Sequence, residues 1–306
     1  MTPAPQITAA SWLMVAVLGL TWGGTFMVTE IALEGITPFW LAAGRIGFAA
    51  LLMTAIWGAN GFALFAAPAP ARIWRAAIVI GALSSAVPFI LLAWGQQFVT
   101  SGFAGVSMAA VALIVLPLAH FLVPGERLTP RKAVGFVIGF VGVCILIGGQ
   151  AFTSSGAALE TPGRIACLGA ASCYAISSVL MRRLPPVDTI GLATVLLLIG
   201  ACIVLPAALI VEGPPPLPGT KTLWVIVFLG LVPTAAANLL RVRVVRTAGP
   251  VFMTLVNYQV PVWSVVLGAV FLAEPLPPSL LWAMALILTG VGLSQYGALT
   301  RLFRRS

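Results

Sequence analysis

Charge is what this sequence has least of: of 306 residues only 8% are Asp, Glu, Lys or Arg, against 60% hydrophobic. Soluble domains carry about 25% charged residues, so a chain this poor in them has no polar shell to show to water, and a water-soluble globule is excluded. Histidine occurs once and the H-E-x-x-H spacing is missing, which removes a metalloenzyme. Neither Lys132 nor Lys221 follows the glycine pattern that cradles phosphate, which removes a P-loop ATPase. Cys144, Cys167, Cys173 and Cys202 fall within apolar runs without paired spacing, so neither a disulfide framework nor a zinc site is indicated. No metal, cofactor or catalytic residue is expected. An intramembrane enzyme stays as a distant alternative, because His120 lacks a serine in a G-x-S-x-G setting.

What the chain has instead is apolar length. A membrane-crossing helix needs about 20 apolar residues. Runs of that kind lie at about 11–32, 38–57, 73–95, 102–123, 129–149, 162–181, 189–211, 222–240, 249–272 and 278–299. Lipid cannot satisfy open backbone, so all ten read as helices. Residues 1–10 hold no Lys or Arg and lead into a run of full length, so the first span is expected to be retained rather than cleaved. The net charge of +9 would suggest nucleic acid in a soluble protein, but its placement points to a bilayer. Alternate connections hold 13 and 2 basic residues, and Arg45 lies inside the second span. The positive-inside rule then puts both termini in the cytoplasm.

The chain also repeats itself. Gly125-Glu126-Arg127-Leu128 precedes a span containing Gly142-Val143, and Ala273-Glu274-Pro275-Leu276 precedes one containing Gly290-Val291, with the two glutamates 148 residues apart. Upstream, Thr100-Ser101-Gly102 parallels Thr247-Ala248-Gly249 at an offset of 147. A five-span unit, residues 1–149, is expected to recur inverted as residues 150–306, because five is odd.

With Thr21-Trp22-Gly23-Gly24 in the first span, Arg45-Ile-Gly-Phe-Ala-Ala in the second and the two glutamate hinges, the chain resembles the EamA-type ten-span exporters of the drug/metabolite transporter superfamily. The resemblance implies an all-α carrier of the bacterial inner membrane, often an exporter of amino acids or related metabolites. It also implies peripheral fifth and tenth helices, scaffold or dimer surface, in a monomer or weak homodimer. Pro261 stands thirteen residues before Glu274 as the family often has it, whereas Leu113 takes that place in the first half and Pro117 follows four residues on, so the fourth helix is expected to bend at another depth than the ninth.

A carrier of this kind needs a midplane cavity and helices that bend. Trp22 lies about ten residues into its span, ~15 Å deep by the helix rise. With Tyr174 facing it, and Phe26, Trp94, Met108, Tyr258 and Trp263 as further wall, it suggests an aromatic cavity. Asn238, Asn257 and Gln259 offer amides for a carboxylate and an amine. Helix packing accounts for these residues equally well. Pro88, Pro117, Pro206, Pro233 and Pro261 are candidate bends. Arg45 needs a partner or water at its depth, and Glu30 or Glu34 is the expected one. Glu30 and His120 are the candidate proton-coupling groups, in a chain without a midplane acid. Nucleotide sugars would need more midplane cations, and cationic drugs a midplane acid. The reading is therefore a secondary exporter of small neutral or zwitterionic metabolites, uncharged amino acids first, with a multidrug or other metabolite exporter of the same fold as the alternative.

Overall fold

The structure, a computed structural model, describes residues 7–65, 70–122, 128–148 and 159–303. The Gly125-Glu126-Arg127 hinge lies outside these residues. The first half contains helices α1 (Ala9–Leu33), α2 (Pro38–Ala59), α3 (Ala71–Gly95), α4 (Ser101–Leu122) and α5 (Pro130–Gly148). The second contains α6 (Glu160–Met181), α7 (Thr189–Val211), α8 (Thr220–Ala248), α9 (Val256–Leu272, preceded by the single turn Pro250–Met253) and α10 (Pro278–Phe303). Eight of these helices are long and apolar enough to cross a membrane, and α9 is a shorter apolar one. Large apolar side chains point outward along them, Leu51 at 70%, Ile210 at 83% and Phe271 at 67% exposure among them. Only a hydrocarbon solvent makes such faces stable, so this is a multi-pass membrane protein.

Local chemistry fixes the helix starts. Thr8 accepts from the Ser11 backbone while Ser11 accepts from the Thr8 backbone, a reciprocal cap on α1. Pro38 opens α2, and Asp188 caps α7 through the Gly191 N–H. Helix α8 runs to Ala248, beyond the expected end at 240, because Arg241, Arg243 and Arg246 are good helix formers that carry it past the apolar stretch.

The helices pair in a pattern that maps onto itself when the first five are exchanged for the last five. Helix α1 packs on α9 and α8, and α6 packs on α4 and α3; α2 lies against α7, and α5 against α10. The α1–α9 crossing is close because Gly23 has no side chain: a methyl group there would sit 2.5 Å from the Trp263 Cβ. The α5–α10 crossing is closer still, since a methyl on Gly290 would lie 2.4 Å from the Gly135 carbonyl. The small-residue face of α5, Gly135, Gly139 and Gly142, is therefore used inside the chain and is closed to a second copy.

Two helices widen into π turns, Ala82–Ala86 in α3 and Gly230–Ala236 in α8, whose first residues are 148 apart. Proline explains both. Pro88 has no N–H for the Ser84 carbonyl and its ring crowds it; Pro233 leaves the Leu229 carbonyl free, and the Thr234 hydroxyl donates to it at 2.8 Å. Helix α4 tightens to three-residue hydrogen bonds between Val106 and Ala112, and the chain entering α9 does so between Phe252 and Tyr258. An offset of 148 carries the first zone almost onto the second, so the fourth and ninth helices leave the α pattern at matching positions, contrary to the expectation from Pro117. The break in α4 lies eight residues before that proline, out of reach of its ring, which crowds only the preceding turn.

Candidate functional site

A cavity of about 900 Å³ runs through the middle of the bundle, in the range of small-molecule sites, roughly 300–1,000 Å³. One end of the molecule carries Glu34, Glu212 and Glu274 and is the acidic end; the other carries Arg131, Arg182 and Arg241 and is the basic end. Toward the acidic end the lining stops at Thr29, Leu41, Ala93 and Gln96. Toward the basic end it reaches His120, Arg131, Lys132 and Arg182 at the ends of their helices, and Arg241 and Gly297 within about two turns of the ends of theirs, so there the cavity opens.

The closed end is built from polar contacts across helices. Gln96, 4% exposed, donates its amide to the Phe26 carbonyl at 2.8 Å, tying α3 to α1. Behind it, Glu274 accepts from the backbone N–H groups of Ser101 (2.7 Å) and Gly102 (3.0 Å) at the start of α4. Glu30 accepts from the same Ser101 N–H at 3.1 Å. A helix start offers unpaired N–H groups and the positive end of its dipole, so it holds these carboxyl groups side by side. Glu212 caps α2 in the same way, through Thr37, Phe39 and Trp40.

The π turn of α8 organises the middle of the cavity. The Trp22 indole N–H donates to the Pro233 carbonyl at 2.9 Å, which leaves the ring to form wall. Arg45 Nε donates to the Thr234 hydroxyl at 2.9 Å, and the guanidinium lies 4.3 Å from the centre of the Phe89 ring. Asn238 donates back to the Thr234 carbonyl.

Of the expected wall, Trp22, Phe26, Met108, Tyr174, Asn238 and Asn257 line the cavity. Trp94, Tyr258, Gln259 and Trp263 do not. Trp94 turns onto Phe98, with ring centres 5.1 Å apart. Trp263 and Gln259 lie along α1, against Gly23 and Gly19. The Tyr258 ring packs into the apolar core. The last three corrections share one cause: residues 258, 259 and 263 stand on the α9 faces turned away from the cavity, which Asn257, Val260 and Pro261 meet. Arg45 is not paired with Glu30 or Glu34, the partners expected for it: Glu30 is held at α4, and Glu34 faces Lys221 at 3.4 Å. Among the prolines, Pro233 and Pro261 are in the wall, Pro88 is buried behind it, Pro117 is partly buried outside it, and Pro206 faces outward as an ordinary surface kink. His120 stands exposed at the mouth, its Nδ1 accepting from the Leu128 N–H at 3.3 Å.

The sequence reading missed Thr25, Thr29, Phe89, Gln96 and Thr234, along with the basic residues of the mouth. A signal was there for Phe89: Pro88 marks a bend, and bends expose a wall. Ser177 and Ser178, also on the wall, each donate a hydroxyl three residues back along their own helix.

A helical membrane bundle around one central cavity, closed at one end, defines a solute carrier. Sequence comparison agrees: the model of the EamA-like transporter family matches residues 9–148 and again 161–295, and the chain belongs to that family. It is similar to the uncharacterized transporter YoaV of Bacillus subtilis, 23% identical with 92% of this chain and 96% of that one covered. It is similar also to the uncharacterized inner membrane transporter YedA of Escherichia coli K12, 28% identical with 82% and 79% covered. The protein PecM of Dickeya dadantii is 25% identical, with 83% and 82% covered. A chain of known crystal structure shares the fold, with a TM-score of 0.67 at 23% identity over 95% of this chain and 98% of that one. The protein is thus a membrane transporter of the EamA type.

Proposed function

We propose that this transporter exports small neutral or zwitterionic metabolites, uncharged amino acids first, by alternating access around the central cavity. The observation that carries the reading is the cavity itself, closed behind Gln96 and Thr29 and open among the basic residues. With basic connections cytoplasmic, both termini lie inside and the cavity faces the cytoplasm, ready to load an export substrate in the inner membrane of a bacterium. Ten spans in two inverted units, residues 1–149 and 150–306, are supported by the two family matches, the self-mapping helix pairs and the π turns 148 residues apart. The π turns and the tightened zones in α4 and at the start of α9 are the hinges about which the halves would rock. The working unit is a monomer or weak homodimer, and no cofactor takes part.

The experiment is uptake of radiolabelled neutral amino acids into proteoliposomes, with and without a pH gradient, by the parent and by Trp22→Ala. Saturable uptake lost in the variant is the expected result. Uptake of lipophilic drugs but of no amino acid would instead establish the multidrug reading.

A further inference from the structure

We infer that Arg45 is the specificity-determining residue of this cavity, where it anchors the carboxylate of the transported solute. The inference rests on the transport reading above and names what the site recognises. Four observations carry it. First, the guanidinium is fixed from one side only: Thr234 commits its proton to the Leu229 carbonyl and accepts from Arg45 Nε, while the Phe89 ring covers one face. Second, the two terminal nitrogens form no hydrogen bond or ion pair with any described residue, and both acids expected to pair with Arg45 are engaged elsewhere. Third, the side chain lines the cavity, so those nitrogens face the space a solute fills. Fourth, among the described residues the lining contains Arg45, Arg131, Lys132, Arg182 and Arg241 and neither Asp nor Glu.

A planar fork held at Nε presents its remaining edge to two oxygens at once, the geometry of a bidentate carboxylate. A cation at this depth without a counter-charge is unfavourable, and a solute carboxylate supplies the missing charge in a site where water is scarce. The excess of positive charge among the described lining residues disfavours organic cations. The apolar remainder of the solute meets Trp22, Phe26 and Met108, and an amine, where present, has neutral oxygens only, such as those of Asn238 and Tyr174. The substrate class is therefore a small apolar acid or amino acid with a free carboxylate.

The test compares leucine, 4-methylpentanoate (the carboxylate without the amine) and leucinamide (the carboxylate blocked), as ligands shifting the melting of the detergent-purified full chain and as solutes in proteoliposomes. The parent is expected to bind leucine and 4-methylpentanoate at least about tenfold more tightly than leucinamide, the worth of a charge-assisted pair. Arg45→Gln should lose that preference and Arg45→Lys keep part of it, the point charge surviving without the fork. If Arg45→Gln does not fold, Thr234→Val, which frees Nε but retains the charge, should weaken both carboxylates and leave leucinamide unchanged. Equal binding of leucinamide and leucine, or an unaltered preference in Arg45→Gln, overturns the inference. Transport of uncharged or cationic solutes alone overturns it and leaves the carrier reading standing, whereas a parent that moves no solute at all removes both.

Discussion

Replacing Glu274 by Ala should open the acidic end of the cavity. In the observed state its carboxylate accepts two backbone N–H groups, from Ser101 at 2.7 Å and Gly102 at 3.0 Å, and so pins the α9–α10 connection to the start of α4. A hydrogen bond to a charged group contributes about 1.5–3 kcal/mol. Two would give about 3–6 kcal/mol, but Glu30 remains on the Ser101 N–H at 3.1 Å and compensates in part. A net loss of about 2–3 kcal/mol is expected, a shift of roughly 30- to 150-fold toward states open at that end. The assay is labelling by a membrane-impermeant thiol reagent of Thr29→Cys, at the closed end of the cavity, in a background with the four native cysteines replaced. Reagent applied from the side that bears Glu34 should label the Glu274→Ala variant at least ten times faster than the parent, and Glu274→Gln, which keeps one acceptor, should fall between. Unchanged labelling with an unchanged melting temperature would show that the contact at α4 is not what closes this end.

Five further outcomes follow from the placement of single residues. Trp22→Phe keeps the ring but strands the Pro233 carbonyl; the loss of about 1 kcal/mol should lower the melting temperature by roughly 2 °C. Gly290→Leu drives a side chain into the Gly135 backbone and should abolish monodisperse expression, whereas the outward-facing Pro206→Ala should leave transport unchanged. Gln96→Leu removes the bridge to the Phe26 carbonyl and should raise labelling of Thr29→Cys from the acidic end, additively with Glu274→Ala if the two contacts act independently. Arg182→Glu, exposed at the mouth, should slow entry of an anionic solute and flatten the salt dependence of its uptake, measured as initial rates between about 20 and 200 mM salt, the span over which screening of exposed charges grows strong.

The apolar runs were legible because hydrocarbon imposes one requirement on every residue of a span, and that requirement is written locally in composition. The helix starts were equally readable where a cap or a proline stands at a fixed offset, as at Pro38 and Asp188. Family membership was carried by local motifs, Trp22-Gly23-Gly24 and the glutamate hinges among them, and the family match agrees. The cavity wall was legible in part: Trp22 and Phe26, which share one face of α1, line it together with Met108, Tyr174, Asn238 and Asn257. Elsewhere the wall depends on how a helix is turned about its axis. A span apolar on all sides carries no stripe to report that turn, which is why Asn257 faces the cavity while its neighbours Tyr258 and Gln259 do not.

The sequence by itself determined a membrane-embedded helical chain, its spans, its charge asymmetry and its doubled motif, since each is a property of neighbouring residues. Only the tertiary structure decided the partners: Arg45 with Thr234 and not Glu30, Glu30 beside Glu274 on one backbone N–H, and the π turn of α8 as the mount for both Trp22 and Arg45. These contacts join residues 71 to 211 positions apart, and the energy that selects them comes from satisfying polar groups where no water can, a condition that exists only once the helices have packed.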